Sequence, residues 1–238
     1  MIRALAVVVP ARDEEDLLAG CLGTLHRAAR HPLVRDVPCR VIVVADACRD
    51  ATAAIARRHG AQLLEVTEGN VGAARAAGSR HALESVLASW PSLAPDGVWL
   101  AHTDADSRVP ADWLARQLVH AACGWHAVVG TVRVADWGAH PRSTAAAFRL
   151  LYQQEKPADA HRHVHGANLA VRADAYLAAG GFQPLPVSED RTLVAALEAA
   201  GFGVKRTSRS PVTTSARRDP RARGGFGDFL RDLDELTG

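Results

Sequence analysis

Two acidic residues one position apart, Asp104 and Asp106, close an apolar run that contains Val98, Trp99, Leu100 and Ala101. In extended backbone, residues i and i+2 project to the same side, so the two carboxylates would lie together and repel unless a cation or a hydrogen-bond donor sits between them. A hard divalent ion takes oxygen ligands of this kind. The competing reading is a solvated turn with helix-capping Asp and Ser residues, and the stretch from Trp99 to Ser107 does not by itself decide between the two.

Other polar loops repeat the arrangement. Val7-Val8-Val9-Pro10 runs into Ala11-Arg12-Asp13-Glu14-Glu15, and Val41 to Ala45 runs into Asp46. Gln62 to Val66 precedes Glu68-Gly69-Asn70-Val71-Gly72, with Arg75 shortly after. A helix start and an arginine together suit a phosphate; an arginine on a solvated helix face is the plainer alternative. The spacing GxGxxG is absent, so this is no dinucleotide fingerprint. His163 and His165 flank Val164 and could ligate a metal or touch a substrate. The segment after Thr214 carries Arg217, Arg218, Arg221, Arg223, Gly224 and Gly225, which suits a lid over a diphosphate or a surface charge run.

The elements that must position these residues follow from hydrophobic patterning. Strands are expected at 4–9, 39–45, 62–66, 98–103, 127–134, 167–171 and 204–206. Helices are expected after residue 17 and at 52–59, 73–88, 111–123, 143–155, 173–179, 189–200 and 226–236. Strand and helix alternate through the first half, which is the pattern of a parallel sheet with right-handed crossovers. Its loaded loops then share one sheet edge, where open α/β sheets place ligands. The chain reads as one domain over residues 1–238 with two functional halves, 1–107 and 108–238, the second ending in the basic loop and a final helix.

The 238 residues are 48% hydrophobic and 23% charged, an ordinary globular composition. A net charge of +2 gives no ground for nucleic-acid binding. The four cysteines (Cys21, Cys39, Cys48, Cys123) form no CxxC pair, which argues against a zinc site and for reduced thiols in a cytoplasmic protein. No apolar run approaches a membrane span, and the apolar start reads as a core strand rather than a signal peptide.

Taken in order, Val7 to Glu15, Val43 to Asp46, Asn70 to Arg75, Asp104-Ala105-Asp106, Gly166-Ala167-Asn168, Gly180-Gly181-Phe182 and Glu189-Asp190 resemble the family 2 glycosyltransferases. The resemblance covers residues 4 to 206. It implies a GT-A fold, that is, a Rossmann-like, mostly parallel central sheet flanked by helices with a smaller acceptor-side subregion. It also implies a nucleotide-diphosphate sugar donor, a divalent metal (Mn2+ or Mg2+), inverting transfer, and a small-molecule or soluble acceptor. Pro10, Ala11, Arg12 and Glu14 would line the nucleotide pocket, Asp46 would accept hydrogen bonds from the base, and Asn70, Arg75, Asp104 and Ala105 would complete the donor site. Asp106, with Asp104, would hold the metal. Asp190 would be the general base. His165, Gly166, Asn168 and Glu189 would face the acceptor, and Arg217 and Arg218 the diphosphate.

Each position has a plainer structural role open to it. Glu14 could serve the macrodipole of the next helix, Asp46 could cap the helix after it, and Ser188, Glu189 and Asp190 could cap theirs. The chain departs from the family at Asp46-Ala47-Cys48-Arg49-Asp50, where two acids and Gly-Ser are usual, and no histidine follows His165 to serve as a late metal ligand. A nucleotidyltransferase on a related sheet would need a glycine-rich, Lys/Arg-ending loop after the first strand, which Pro10 to Glu15 lacks. A catalytically silent nucleotide-sugar-binding protein is the remaining alternative. The donor sugar, the acceptor and the oligomeric state, a homodimer among the options, are not encoded in any readable motif.

Overall fold

The computed structural model describes residues 1–153, 159, 161–218 and 224–237. Its centre is a seven-stranded sheet: β1 (Ala4–Ala11), β2 (Cys39–Asp46), β3 (Gln62–Val66), β4 (Val98–His102), β5 (Ala127–Val134), β6 (Leu169–Arg172) and β7 (Val204–Thr214). The spatial order is β3-β2-β1-β4-β6-β5-β7. Strands β1 to β4 pair in parallel, β6 runs antiparallel to both β4 and β5, and β5 pairs in parallel with β7. Six strands therefore end at one edge, and the single reversed strand starts there.

Side-chain alternation divides the core between the two faces of the sheet. Ala4, Ala6 and Val8 of β1 face α3 (Val71–Ser89), α6 (Ala173–Ala178) and α7 (Glu189–Ala199). Leu5, Val7 and Val9 face α1 (Leu18–Ala29), α2 (Thr52–Arg58) and α4 (Trp113–Ala122). Helix α1 has no side-chain N-cap. Its place depends on Leu18, Leu22 and Leu25, all fully buried, each contributing about 1.5–3 kcal/mol. A third cluster joins α5 (Arg142–Gln153) to α8 (Phe226–Thr237) through Phe148, Leu230 and Leu233.

Several expected elements differ in extent. The last strand was expected at 204–206 and runs to Thr214, because the β5 pairing resumes at Val212 after a break between Gly130 and Val132. Pro211 and the polar run around it hide that continuation from a hydrophobicity reading. The strand expected at 167–171 starts at Leu169, with Gly166–Asn168 forming a 3-10 turn before it. The helix expected at 143–155 is described to Gln153, and its last residues lie outside the described part, as do Arg221 and Arg223. Among the described residues, no helix is long and apolar enough to cross a membrane.

Helix α3 lies close on the sheet because of Gly78. A Cβ there would stand 2.5 Å from Val8 Cγ1 and 2.6 Å from Val44 Cγ2, both fully buried. Gly78→Ala should destabilise the protein by about 1–3 kcal/mol. The measurement is the urea midpoint, expected to fall with an unchanged slope; an unaltered midpoint would mean that the helix does not sit flush on β1 and β2.

Candidate functional site

The carboxyl edge of the sheet gathers most of the residues singled out in the sequence. The loops after β1 and β2 are locked together by reciprocal bonds. Arg49 N donates to Asp13 Oδ1 (2.7 Å), Glu15 N to Asp50 Oδ2 (3.0 Å) and Ala51 N to Glu15 Oε2 (2.9 Å). Asp46 caps no helix. It is buried, and its two oxygens accept from the backbone N–H groups of Gly69 (2.8 Å) and Asn70 (3.0 Å), which fixes the loop before α3. Asn70 is the N-cap of α3, accepting from Ala73 N at 3.1 Å. Pro10 is half-buried and Arg12 exposed at the mouth of these loops. Ala11 and Ala105 are both buried in the core layer under α1.

Arg75, expected at a phosphate or on a solvated helix face, does not lie on a solvated face. It is 2% exposed, and its guanidinium lies inside the protein. Nε donates to Glu189 Oε1 (3.1 Å), Nη1 to the Gly166 carbonyl (3.1 Å) and Nη2 to Asp104 Oδ1. The side chain leaves the first turns of α3 and meets the end of β4, the start of α7 and the turn before β6. A Cβ at 166 would stand 2.5 Å from Arg75 Nη2, so any larger residue there would displace the guanidinium from this position. The Gly166 N–H donates in turn to Asp190 Oδ2 (2.7 Å), while Asp190 Oδ1 accepts from Arg191 N (2.7 Å). One cation thus aligns Asp104 with Glu189 directly and with Asp190 through a single residue, Gly166. Burial raises the carboxyls of Glu189 and Asp190 above their ordinary values, and Arg75 offsets part of that rise.

Asp106 accepts at Oδ1 from Ser107 Oγ (3.2 Å) and Thr214 Oγ1 (3.4 Å). Its Oδ2 faces Arg217 Nη2 at 3.4 Å. Burial and the neighbouring Asp104 push its carboxyl up to about 7, with Arg217 pulling the other way. Arg217 is also paired bidentately with the buried Glu14, Nη1 to Oε2 at 2.8 Å and Nη2 to Oε1 at 2.5 Å. Glu14 is therefore held by the C-terminal segment. Arg218 points elsewhere, to Asp234 of α8 (2.8 Å). Thr214 was not among the candidates from sequence; the strand that carries it extends eight residues past the end expected for it.

At the turn before β6, His165 Nε2 bonds Tyr152 Oη (2.7 Å), and burial, with His163 nearby, lowers its pKa to about 3, so the ring is neutral. His163 stacks on Tyr152 with ring centroids 3.9 Å apart. Asn168 is buried with its amide committed to the scaffold: Nδ2 donates to Thr131 O and Ser210 O (both 2.9 Å), and Oδ1 accepts from Trp113 Nε1 (2.8 Å). Among the described residues, the non-glycine residues with left-handed backbone are Asp13 (φ 51°), Ala47 (φ 51°) and Ser188 (φ 61°). Each lies in a loop of this edge, the last one immediately before Glu189 and Asp190, which is where strained backbone collects when a site fixes its geometry.

Two groups offer hard oxygen ligands. Asp104 and Asp106 are carboxylates of the kind a divalent ion takes, and Asp106 Oδ2 faces the Arg217 guanidinium at 3.4 Å. Asp13, Cys48 and Asp50 also place one ligand atom each within 4.8 Å of one another. Their carboxylates serve the loop lock, and burial raises the Cys48 thiol, which disfavours the thiolate a metal needs. A cavity of 310 Å3 between α4, β5 and β7, lined by Trp113, Val128, Thr207 and Ser210, holds none of the acidic groups. The charges, rather than this cavity, define the site.

A parallel sheet with its ligand-bearing loops at one edge and a reversed strand entering there is the GT-A glycosyltransferase fold. The model of the Glycosyl transferase family 2 matches residues 6–177, and the chain belongs to that family. Solved structures of the same fold include S. aureus TarS residues 1–349 (12% identity, TM-score 0.64, covering 90% of this chain and 60% of that one). Another is the mannosyltransferase PcManGT from Pyrobaculum calidifontis in complex with GDP-Man and Mn2+ (20%, 0.64, 100% and 63%). A third is glucosyl-3-phosphoglycerate synthase from Mycobacterium tuberculosis in complex with phosphoglyceric acid (16%, 0.56, 99% and 77%). The chain thus spans less than two thirds of the first two. No curated protein matches it.

Replacing Arg75 by methionine strands Glu189 and Asp104 without their cation. Loss of one partner of a buried pair costs about 3–5 kcal/mol, so Arg75→Met should lower the unfolding free energy by that order in urea. Arg75→Met/Glu189→Gln should recover part of the loss; additive losses would show that the two groups are not coupled.

Proposed function

We propose that this chain is a metal-dependent, inverting glycosyltransferase that moves a sugar from a nucleotide-diphosphate donor to a hydroxyl of a small or soluble acceptor, in the cytoplasm. The observation that supports the reading is one buried arginine that pairs with Asp104 and reaches Asp190 through Gly166, in a chain of this family. Residues 1–107 serve the donor and 108–238 the acceptor. Structures of the same fold with GDP-Man and Mn2+, or with UDP-GlcNAc, support the donor class.

In this reading the loops carrying Pro10, Ala11, Arg12, Glu14 and Asp46 border the nucleotide, and Asp106 with Asp104 holds the divalent ion. Mn2+ or Mg2+ would supply charge neutralisation for the departing diphosphate. Asp190 accepts the proton of the acceptor hydroxyl as that oxygen attacks the anomeric carbon and the bond to the diphosphate oxygen breaks. Attack from the face opposite the leaving group inverts the anomeric centre. Arg75 takes no part in bond making; it keeps base and donor carboxylate in register. His165, Gly166 and Glu189 border the acceptor side, while Asn168 supports it from beneath.

Asp190→Asn should lower the transfer rate by about 10²–10⁴-fold, while calorimetry with UDP or GDP plus Mn2+ shows unchanged donor-site binding. A variant that transfers at the wild-type rate would remove Asp190 from the reaction. Burial raises the Asp190 pKa, so the base works only above that raised value. The acid limb of the rate profile should therefore lie above the ordinary carboxylate range and disappear with the Asn variant. If no UDP- or GDP-sugar in a full panel is bound or turned over with Mn2+ or Mg2+, the enzyme reading fails.

A further inference from the structure

We propose that Arg217 is an exchangeable counter-cation of Asp106, so that a divalent ion and this arginine compete for one carboxylate oxygen and a nucleotide diphosphate relieves the competition. The inference rests on the reading of Asp106 as a metal ligand and adds a residue 111 positions further along the chain to that site.

The geometry separates the two oxygens of Asp106. Oδ1 accepts from Ser107 Oγ and Thr214 Oγ1, and Oδ2 faces Arg217 Nη2 at 3.4 Å. The oxygen open to a cation is therefore the one the guanidinium already faces. Arginine stays charged at any working pH. An ion bound to Oδ2 at an ordinary metal–oxygen distance would stand no more than about 6 Å from that nitrogen, close enough for two cations to repel strongly in a partly buried site.

Arg217 does not depend on Asp106 for its place. Its two bonds to the buried Glu14 hold it beside the site. Its neighbours are anchored as well: the Ala216 carbonyl accepts from His140 Nε2 (2.7 Å) and Arg218 pairs with Asp234. The exchange therefore needs only the Arg217 side chain to move. A diphosphate supplies several anionic oxygens, so ion and guanidinium can each take their own instead of contending for Oδ2. Ion and nucleotide then bind cooperatively, and the coupling is reciprocal.

The test is calorimetric titration of Mn2+, at pH 8, into the whole protein with and without UDP or GDP. Arg217→Gln should bind Mn2+ alone about tenfold more tightly than wild type, and the enhancement produced by the nucleotide should shrink by a similar factor. Arg217→Lys keeps the charge and should stay near the wild-type affinity. Because Arg217→Gln leaves Glu14 buried without a partner, a second comparison sets Glu14→Gln/Arg217→Gln against Glu14→Gln alone, with the same tightening expected. Asp106→Asn should abolish the binding in every background. Mn2+ affinity unchanged by both Arg217 replacements, with binding still lost in Asp106→Asn, overturns the competition and leaves the metal reading standing. Mn2+ binding unaffected by Asp106→Asn overturns the metal reading and this inference together.

Discussion

The guanidinium of Arg75 is the constraint from which the arrangement of the site follows. A charge with 2% exposure is costly unless several acceptors meet it. Here the acceptors come from the end of β4, the start of α7 and the turn before β6. None of these segments is near another in sequence, so the cost of leaving the cation unmet acts as a long-range restraint on where each one ends. The restraint reaches Asp190 through one residue, Gly166, whose carbonyl faces Arg75 and whose N–H faces the carboxylate. Glycine at 166 is the steric condition for that double use.

The topology explains why such a cation is needed at all. Parallel strands deliver their loops to one edge, and acids at those loop starts accumulate there. Reversing β6 brings the start of a strand to the same edge, and with it the turn that meets α7. An all-parallel order would send residues 166–168 to the opposite side of the sheet. The left-handed backbone at Asp13, Ala47 and Ser188 marks where the chain bends sharply to hold these loops close.

Much of this was legible in the sequence, for a reason specific to each part. Apolar runs followed by polar loops gave the order of strands, and the repeated coincidence of acids after strands gave the edge. The partner of Arg75 was not legible, because a buried and a solvated arginine look alike until the far segments are placed. The length of β7 was missed because Pro211 and its polar neighbours break the alternation that a strand shows when one face is dry. That miss concealed Thr214 from the set around Asp106. Asn168 was assigned by its place in a motif, and its amide serves the scaffold through three bonds.

The charge balance at the edge ties these parts together. Among the described residues, Arg75 pairs directly with Asp104 and Glu189, and Arg217 with Glu14 and Asp106. Arg75 has its partners fixed on three elements, so its charge is committed to alignment. Arg217 has one strong partner and one weak one, so part of its charge is available to whatever binds. Burial and the neighbouring Asp104 push the Asp106 carboxyl up to about 7, against the pull of Arg217. An acid so displaced, beside an arginine whose main partner is Glu14, leaves both signs of charge open to a ligand. In the proposed reading a divalent ion with a diphosphate is such a ligand, the ion answering Asp106 and the phosphate oxygens Arg217. The two arginines differ in commitment: Arg75 is fixed to three elements, while Arg217 is shared between Glu14 and Asp106.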